Sequence, residues 1–280
     1  MKTRNKEGLE IGKLSGAGND FILADARKGG LPLPEPELAR RLCHRRLSVG
    51  ADGLITLHAS RKAHFRIDYY NSDGSTAALC LNGTRCAARF AFLKVIAPRE
   101  MKIETGAGVY GAEIVPRGVR LSFPPFPVNA RRVKVHSCPA WFVDVGVPHL
   151  IVVADSDVFQ REGFLEEARS LRHHAAFAPA GTNVSFVSLL DPGIVAMRTY
   201  ERGIEDEVLS CSSGSWAALH ALALEGVDLP AEVQVATMGQ IPLEFAFDRE
   251  GTEIKRVRLT ADARLIFLAG LEREAWEWGV

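Results

Sequence analysis

The chain has 280 residues, which is the length of about two ordinary domains. With 47% hydrophobic and 24% charged residues, it has the composition of a globular protein that buries a core in each half. There are 34 basic and 34 acidic residues, so the formal net charge of zero gives no electrostatic attraction for nucleic acid or an anionic membrane, and a small neutral or zwitterionic partner fits better.

The N-terminus and the cysteines favour a cytoplasmic protein. Three of the first six residues are basic and no apolar stretch follows them, and no window approaches the roughly 18 apolar residues that a membrane span needs. The five cysteines are odd in number and none has Cys-x-x-Cys spacing, which favours reduced thiols over a secreted disulfide framework or a zinc site.

A glycine turn near the start of the chain carries two polar side chains, Asn19 and Asp20. It precedes a predicted strand at residues 21–24 but lacks the third glycine and the following helix of a dinucleotide-binding fingerprint. Residues 34–47 then predict a helix whose apolar side includes Leu47 and whose outer face is basic. A solvated surface is the simplest interpretation of that basic face.

The first of two similar segments surrounds Cys80. A polar turn begins at Asn71, nine residues before this cysteine, with the sequence Asn-Ser-Asp-Gly-Ser. The run at residues 86–96 is apolar apart from a line formed by Arg85 and Arg89, so it predicts a helix that is buried almost all round. Cys80 lies at the N-terminal end of this helix.

A proline-rich stretch marks the predicted domain boundary. Residues 123–127 read Phe-Pro-Pro-Phe-Pro, and such a run fits neither a helix interior nor a central strand. We therefore predict domains at residues 1–125 and 126–264, with the closing segment 265–280 free to return to the first domain. Strands are predicted in the first domain at residues 54–58, 65–70, 101–115 and 119–123, and in the second at 141–145, 150–154, 195–200, 233–236, 243–247 and 257–260, with a last strand at 265–268.

The second domain repeats the pattern of the first. Cys211 precedes Ser212-Ser213-Gly214 and a run that stays apolar through Leu224. A glycine stands shortly before Asn183, as one does before Asn19, and the polar segment that starts at Glu201-Arg202 lies ten residues before Cys211. An internal duplication explains these similarities together.

Two cysteines at the N-termini of two buried helices predict acid/base chemistry. A duplicated chain is expected to place the two helix ends on opposite walls of one cleft. The positive end of a helix stabilises an anion and lowers the pKa of a thiol, so a thiolate and a thiol can coexist near neutral pH. One would remove a proton from a carbon atom and the other would deliver a proton to its opposite face, which inverts a stereocentre.

Other interpretations of the same residues remain open. Cys43, Cys86 and Cys138 lack the matched context and are expected to be small buried residues. A Cys-His hydrolase would use His149 as its base, although a single nucleophile leaves the second cysteine unexplained. A non-catalytic binding protein is a further alternative. No set of His, Cys or carboxylate residues has metal-ligand spacing along the chain, so no metal is predicted.

The sequence resembles the diaminopimelate epimerases, a family of cofactor-independent enzymes in lysine and peptidoglycan biosynthesis, over nearly its whole length. The motifs that carry the resemblance are Lys13-Leu14-Ser15-Gly16-Ala17-Gly18-Asn19-Asp20-Phe21, Gly50-Ala51-Asp52-Gly53, Asn71-Ser72-Asp73-Gly74-Ser75, Cys80-Leu81-Asn82-Gly83-Thr84-Arg85-Cys86, Glu201-Arg202-Gly203 and residues 207–214. The resemblance implies an α/β protein of the α+β type with two pseudo-symmetric domains, each a mixed, rolled β-sheet around a central buried helix. It also implies an isomerase that needs no cofactor and inverts a Cα stereocentre of LL- or meso-2,6-diaminopimelate.

The resemblance further implies roles for individual residues. Cys80 and Cys211 would be the acid/base pair, and His149 and Glu201 would help to set their protonation. Substrate contacts would come from the side chains of Asn19, Asn71, Asn183 and Arg202 and from the backbone of Leu81, Asn82, Ser212 and Ser213. The expected partner is a small amino acid, with no nucleic acid and no membrane, and a homodimer is left open.

Three positions depart from the family pattern. Glycine is usual where Leu81 stands, glycine-threonine where Ser212-Ser213 stand, and asparagine where Val147 stands. Glycine next to a catalytic residue permits close backbone approach, and leucine removes that freedom. The change at Val147 removes a polar contact to the far end of the substrate, so a racemase of the same fold that acts on another free amino acid remains an alternative.

Overall fold

The computed structural model describes residues 8–27, 29–124, 127–155 and 157–279. The chain forms two compact units: the first extends to Leu121 and resumes at Asp262, and the second covers Ser122–Ala261. The boundary predicted between residues 125 and 126 lies outside the described residues, as does the charged N-terminal hexapeptide.

The first unit contains eight strands and two α-helices along its described residues. The elements are β1 (Leu9–Gly16), β2 (Asn19–Asp25), α1 (Glu35–Leu42), β3 (Gly53–His58), β4 (Phe65–Asn71), α2 (Leu81–Leu93), β5 (Glu100–Thr105), β6 (Gly108–Val115), β7 (Gly118–Ser122) and β17 (Arg264–Leu271). A short 3₁₀ turn at Arg273–Ala275 follows β17.

The strands of the first unit form a mixed sheet around α2. The order is β17, β1, β2, β3, β4, β5, β6, and the successive pairs are antiparallel, antiparallel, parallel, antiparallel, parallel and antiparallel. Helix α2 packs against every one of these strands, so the sheet is rolled around it. Ten of the 13 residues of α2 are buried, which explains why its sequence is apolar on nearly all sides.

The second unit has the remaining elements. They are β8 (Asn129–Val133), β9 (Ala140–Asp144), β10 (Pro148–Val153), α3 (Phe164–Arg172), β11 (Asn183–Asp191), β12 (Ile194–Glu201), β13 (Asp206–Val208), α4 (Ser212–Leu224), β14 (Glu232–Thr237), β15 (Leu243–Glu250) and β16 (Glu253–Ala261), with 3₁₀ turns at Val158–Gln160 and Ala175–Phe177.

The sheet of the second unit repeats the series of strand directions found in the first. Its order is β8, β9, β10, β11, β12, β14, β15, and the successive pairs are again antiparallel, antiparallel, parallel, antiparallel, parallel and antiparallel, with β16 added antiparallel to β15. Strands β5 and β14, which hold equivalent places, even share one alternating pattern of exposed and buried residues. Helix α4 packs against β9, β10, β11 and β16. The predicted fold class, with a mixed, rolled sheet around a central helix, is confirmed.

Three predictions about the helices are wrong in detail. Helix α1 ends at Leu42 rather than at residue 47, and Leu47 is exposed. The cause is local, since the Nδ1 atom of His44 accepts hydrogen bonds from the backbone N–H groups of Arg46 and Leu47 and so closes a turn. Helix α2 begins at Leu81 and ends at Leu93, and Arg85 belongs to no polar surface line because its side chain is fully buried.

Candidate active site

Cys80 is the N-cap residue of α2. Its backbone is extended, with φ −137° and ψ 101°, and its Sγ atom accepts a hydrogen bond from the backbone N–H of Gly83 at 3.4 Å. Its carbonyl oxygen accepts two hydrogen bonds from Thr84, from the backbone N–H at 2.8 Å and from Oγ1 at 2.9 Å. The sulfur therefore takes the position in which a serine or aspartate oxygen usually caps a helix, at the positive end of the helix dipole.

Cys211 caps α4 in the same way. Its φ and ψ angles are −135° and 102°, and its Sγ atom accepts a hydrogen bond from the backbone N–H of Gly214 at 3.4 Å. Its carbonyl oxygen accepts the backbone N–H of Ser215 at 2.8 Å and the Ser215 hydroxyl at 2.9 Å. The two cysteines thus have matching backbone angles and matching donors, which extends the duplication to atomic detail.

In the first unit, Asn19 contacts the first turn of α2. The side-chain amide of Asn82 donates a hydrogen bond to Oδ1 of Asn19 at 2.7 Å. This contact depends on Gly16, because a Cβ atom there would lie 2.9 Å from Sγ of Cys86 and 3.0 Å from the carbonyl oxygen of Asn82. The end of β1 can therefore approach the helix closely enough to place Asn19 beside it.

Leu81, which departs from the family pattern, occupies the first helical position of α2 and is buried. Its backbone has the ordinary helical conformation, which leucine adopts without strain. The freedom of glycine is therefore not needed at this position in this chain.

Asn71 is the last residue of β4, and its side chain and backbone N–H both donate hydrogen bonds to Ser75 in the turn that follows. Its side-chain amide donates to the Ser75 hydroxyl at 2.9 Å, and its backbone N–H donates to the Ser75 carbonyl at 2.8 Å. The turn predicted from the sequence is present. The predicted contact of Asn71 with a substrate stays a prediction.

In the second unit, the side chain of Ser213 lies between Cys211 and His149. Its Oγ atom is 3.5 Å from Sγ of Cys211 and 3.1 Å from Nε2 of His149. Sequence analysis assigned to Ser213 only a backbone contact, so this hydroxyl was missed as a functional group. Serine is a plain turn residue as well as a proton carrier, and the pattern alone does not distinguish the two.

His149 lies on β10 and is completely buried. Burial, together with the nearby positive charge of Arg202, lowers the pKa of His149 to about 3, so the imidazole is neutral near pH 7. Its Nε2 atom contacts Ser213, and its Nδ1 atom has no hydrogen-bond partner among the described residues. The ring can therefore hold a proton at either nitrogen without acquiring a charge.

Asn183 and Arg202 contact each other near His149. Asn183 is the partner of His149 in the parallel pairing of β10 with β11, and it is buried. Its Oδ1 atom accepts the backbone N–H of Arg202 at 2.8 Å, which fixes the chain just after β12. Glu201 is the half-buried last residue of β12, and Ser212 is the buried first residue of α4.

Two further residues, Arg85 and Asp52, were not assigned a role from the sequence. Arg85 donates a hydrogen bond to Oδ1 of Asn82 at 2.7 Å, and Asp52 accepts one from the side-chain amide of Asn19 at 2.9 Å. Both residues belong to motifs that carry the family resemblance. Nothing in their spacing along the chain indicates that they act on the same pair of asparagines.

The structure also brings together three potential metal ligands that are far apart in the sequence. Donor atoms of Glu35, His58 and Asp68 lie within 4.8 Å of one another. These donors already bind protein groups: His58 pairs with Glu35 at 2.9 Å, Asp68 with Arg66 at 2.8 Å, and Glu35 accepts the Tyr70 hydroxyl. We interpret the cluster as an ion-pair network.

The chain matches a family model. The model described as "Diaminopimelate epimerase" matches residues 12–122 and 141–258, which include all the site residues named above. The chain is 40% identical over 254 residues to a diaminopimelate epimerase from Hydrogenobaculum sp. (strain Y04AAS1), covering 86% of this chain and 92% of that protein.

The chain belongs to the diaminopimelate epimerase family. It is also 33% identical over 284 aligned positions to the diaminopimelate epimerase of Aquifex aeolicus (strain VF5), covering 96% of this chain and 100% of that protein. As a member of this family of epimerases, the chain is an isomerase that acts on a small molecule.

Solved structures agree on the fold. A hydroxyproline epimerase from Agrobacterium vitis, with bound trans-4-hydroxy-L-proline, has a TM-score of 0.71 and 15% identity over 97% of this chain and 94% of that one. At this identity the likeness shows a shared fold.

Among the helices of the described residues, none combines the length and apolar character needed to cross a bilayer.

Proposed function

We propose that the protein interconverts LL- and meso-2,6-diaminopimelate by inverting one Cα atom, with Cys80 and Cys211 as the two acid/base groups. The observation that carries this proposal is the matched capping of α2 and α4 by cysteine, with the sulfur held at the helix N-terminus in both cases. A helix N-terminus stabilises a thiolate, and it leaves backbone N–H groups available for a carboxylate.

The proposed reaction moves one proton at a time. The thiolate of one cysteine removes the Cα proton and becomes a thiol, which leaves a carbanion. The thiol of the other cysteine then delivers its proton to the opposite face of the same carbon and becomes a thiolate. Protons and charge balance within the pair, so this scheme uses neither pyridoxal phosphate nor a metal.

Neighbouring residues have supporting roles in this scheme. His149, neutral and linked through the Ser213 hydroxyl to Cys211, helps to set the protonation of that thiol. Glu201 contributes to the same task. Asn19, Asn71, Asn183 and Arg202 bind the substrate through their side chains, and Leu81, Asn82, Ser212 and Ser213 bind it through the backbone.

Diaminopimelate is the substrate that best fits Arg202. A guanidinium group grips a distal carboxylate with two hydrogen bonds, and hydrogen bonds to charged groups are worth about 1.5–3 kcal/mol. Val147 favours a different amino acid, since it removes one neutral hydrogen bond worth about 0.5–1.5 kcal/mol. The charged contact outweighs the neutral one, and a racemase acting on a single-headed amino acid is the second candidate.

Two further expectations concern the setting of the enzyme. A cytoplasmic location agrees with a chain whose core contains buried thiols at Cys43 and Cys86. A homodimer agrees with β17, which exposes four consecutive apolar side chains at residues 265–268.

Hydrogen exchange tests the chemistry. Purified protein with LL- or meso-diaminopimelate in heavy water, with a chelator present, should incorporate deuterium at Cα, measured by mass spectrometry. Cys80→Ala and Cys211→Ala should each abolish epimerisation, whereas Cys138→Ala, a half-buried residue of the second unit's core, should not. A fully active Cys211→Ala protein would overturn the two-base scheme and favour a single-nucleophile enzyme.

Substrate identity needs its own experiment. Arg202→Met should raise KM for diaminopimelate about tenfold or more, and it should change KM far less for single-headed amino acids. Val147→Asn should improve diaminopimelate turnover. If the wild-type protein inverts a single-headed amino acid faster than diaminopimelate, the second candidate is correct.

A further inference from the structure

Four side chains of the first unit, those of Arg85, Asn82, Asn19 and Asp52, form a hydrogen-bonded relay that connects a buried cation to a carboxylate. Arg85 donates to Oδ1 of Asn82 at 2.7 Å, and the amide of Asn82 donates to Oδ1 of Asn19 at 2.7 Å. The amide of Asn19 then donates to Oδ2 of Asp52 at 2.9 Å. The relay joins α2, the start of β2 and the residue just before β3.

The chemistry of the two ends fixes the direction of every hydrogen bond between them. A guanidinium group only donates, so the atom of Asn82 that faces Arg85 must be its oxygen. The nitrogen of Asn82 must then donate to Asn19, whose facing atom must be its oxygen. A carboxylate only accepts, so the same orientation of Asn19 is required independently from the Asp52 end.

Both ends are held in place. Arg85 is completely buried, and its Nε atom donates to the backbone carbonyl of Asp262 at 3.3 Å. Asp52 uses its other oxygen, Oδ1, to bind Arg45 at 2.6 Å. Arg45 also pairs with Asp20 at 2.7 Å, so the carboxylate end is part of a larger ion-pair network. The cation faces the amide oxygen of Asn82 and the anion faces the amide NH₂ group of Asn19, so both amides are polarised in the same sense.

We propose that Arg85 and Asp52 are positioning residues that together set the orientation of the Asn19 side-chain amide. The inference rests on the proposed function only in treating Asn19 as a substrate contact. With the relay intact, the NH₂ and oxygen atoms of Asn19 have assigned places, and the NH₂ group retains a second N–H that the relay does not use. Without it, the amide can rotate by 180° and present the opposite hydrogen-bonding polarity to the same substrate group.

A double-mutant cycle on the full-length enzyme tests this coupling. Arg85→Lys keeps the buried charge but loses the planar fork, and Asp52→Asn keeps the shape but no longer requires a donor from Asn19. Each variant should raise KM about tenfold and change kcat by less than about threefold. Because either change alone releases the amide, the double variant should raise KM no more than the larger single effect.

The controls separate orientation from general damage. Arg89→Lys, on the same helix but outside the relay, should leave KM and kcat unchanged. If the effects of Arg85→Lys and Asp52→Asn on KM multiply in the double variant, the two residues act independently and the relay is wrong.

A spectroscopic measurement does not depend on activity. In protein labelled with ¹⁵N-asparagine, Asp52→Asn should shift the side-chain amide signal of Asn19, which donates to Asp52, and also that of Asn82, the next side chain along the relay. Arg45→Met breaks the ion pairs of Arg45 with Asp52 and Asp20 but removes none of the three hydrogen bonds of the relay, so it should leave the Asn82 signal in place. An Asn82 signal that Asp52→Asn does not move would overturn the proposal, even if Arg85→Lys fails to fold. If Asp52→Asn shifts both signals but the wild-type protein has no epimerase activity, the relay is supported and the proposed function is rejected.

Discussion

His149 shows how burial sets the charge of a single side chain. The ordinary pKa of histidine is about 6.5. Burial and the charge of Arg202 lower the pKa of His149 to about 3 in the folded protein. Between these two values the unfolded chain binds one more proton at this residue than the folded chain does. The free energy of unfolding must therefore fall as the pH decreases from 6.5 towards 3.

This difference predicts a pH-dependent effect of His149→Asn. The wild-type protein should lose up to about 1.4 kcal/mol of unfolding free energy per pH unit from this residue below pH 6.5, and the variant should not. Urea unfolding of both proteins at several pH values between 7 and 4 measures it. Other titrating groups, including the buried His220, cancel in the comparison. If the free energies of unfolding of the two proteins change with pH in parallel, His149 binds its proton in the folded state at the same pH as in the unfolded chain.

The Ser213 hydroxyl leads to a second prediction at the residue scale. Ser213→Ala should lower kcat about ten- to hundredfold, because the link between Cys211 and His149 is lost. It should also lower the free energy of unfolding by about 1–3 kcal/mol, since Nε2 of His149 would be buried without a partner. Ser213→Thr retains the hydroxyl and should restore both properties, which kinetics and urea unfolding can check. A fully active Ser213→Ala protein would contradict the link.

At this scale the sequence predicts the chemistry better than the geometry. Cys80 and Cys211 stand out because the same local pattern occurs twice, and the structure gives them the same local geometry. The relay through Arg85 and Asp52 could not be predicted, since its contacts join residues up to 63 positions apart. Likewise, burial of the Arg85 charge is decided by the packing around α2, which the helical pattern of α2 does not reveal.

At the scale of elements, the third residue of each cysteine-capped helix is a glycine, and the two glycines have different surroundings. A Cβ atom at Gly214 would lie 3.2 Å from Sγ of Cys211, 3.3 Å from Cε1 of His149 and 3.3 Å from Oγ of Ser185. A Cβ atom at Gly83 would meet Cδ1 of Ile55 at 2.8 Å and Sγ of Cys80 at 3.4 Å. Only the end of a flexible side chain crowds Gly83, so it has more room to adjust.

Gly214→Ala should therefore reduce kcat more than Gly83→Ala does. We expect a loss of about tenfold or more at Gly214, since small displacements of reacting groups are costly, and a few-fold loss at Gly83. Alanine favours a helix interior over glycine by roughly 0.5–1 kcal/mol, so neither variant should unfold the protein. Steady-state kinetics with melting curves as the folding control measure both. Equal losses would mean that crowding around Cys211 is not limiting.

Elements with a clear period were predictable, and their ends were not. The alternating strands and the apolar helix α2 are present where the sequence indicates them. Helix α1 is shorter than predicted because the His44 side chain closes a turn, and this interaction has no periodic signature. Strands β1, β8, β11 and β13 were not predicted. Strands β1 and β11 have continuous buried stretches and so do not alternate, β8 is largely exposed, and β13 has three residues.

At the scale of the whole molecule, equivalent places in the two sheets are filled by strands from different positions along the chain. In the second unit, β8 precedes β9 in the chain and pairs with it. In the first unit the equivalent place beside β1 is taken by β17, which comes from the end of the chain. The sequence indicates a closing strand that is free to return, but its pairing partner follows only from the fold.

The surface of β17 predicts how copies of the protein associate. Leu265, Ile266, Phe267 and Leu268 are between 36% and 55% exposed, and an exposed apolar strand is a ready site for self-association. We expect a homodimer through this strand, visible by analytical ultracentrifugation at micromolar concentration. Ile266→Lys with Leu268→Lys should shift the protein towards the monomer, because each dimer would bury four added charges. Lys255→Ala, an exposed change on β16, should leave the dimer intact. A wild-type protein that stays monomeric at high concentration would reject this role for β17.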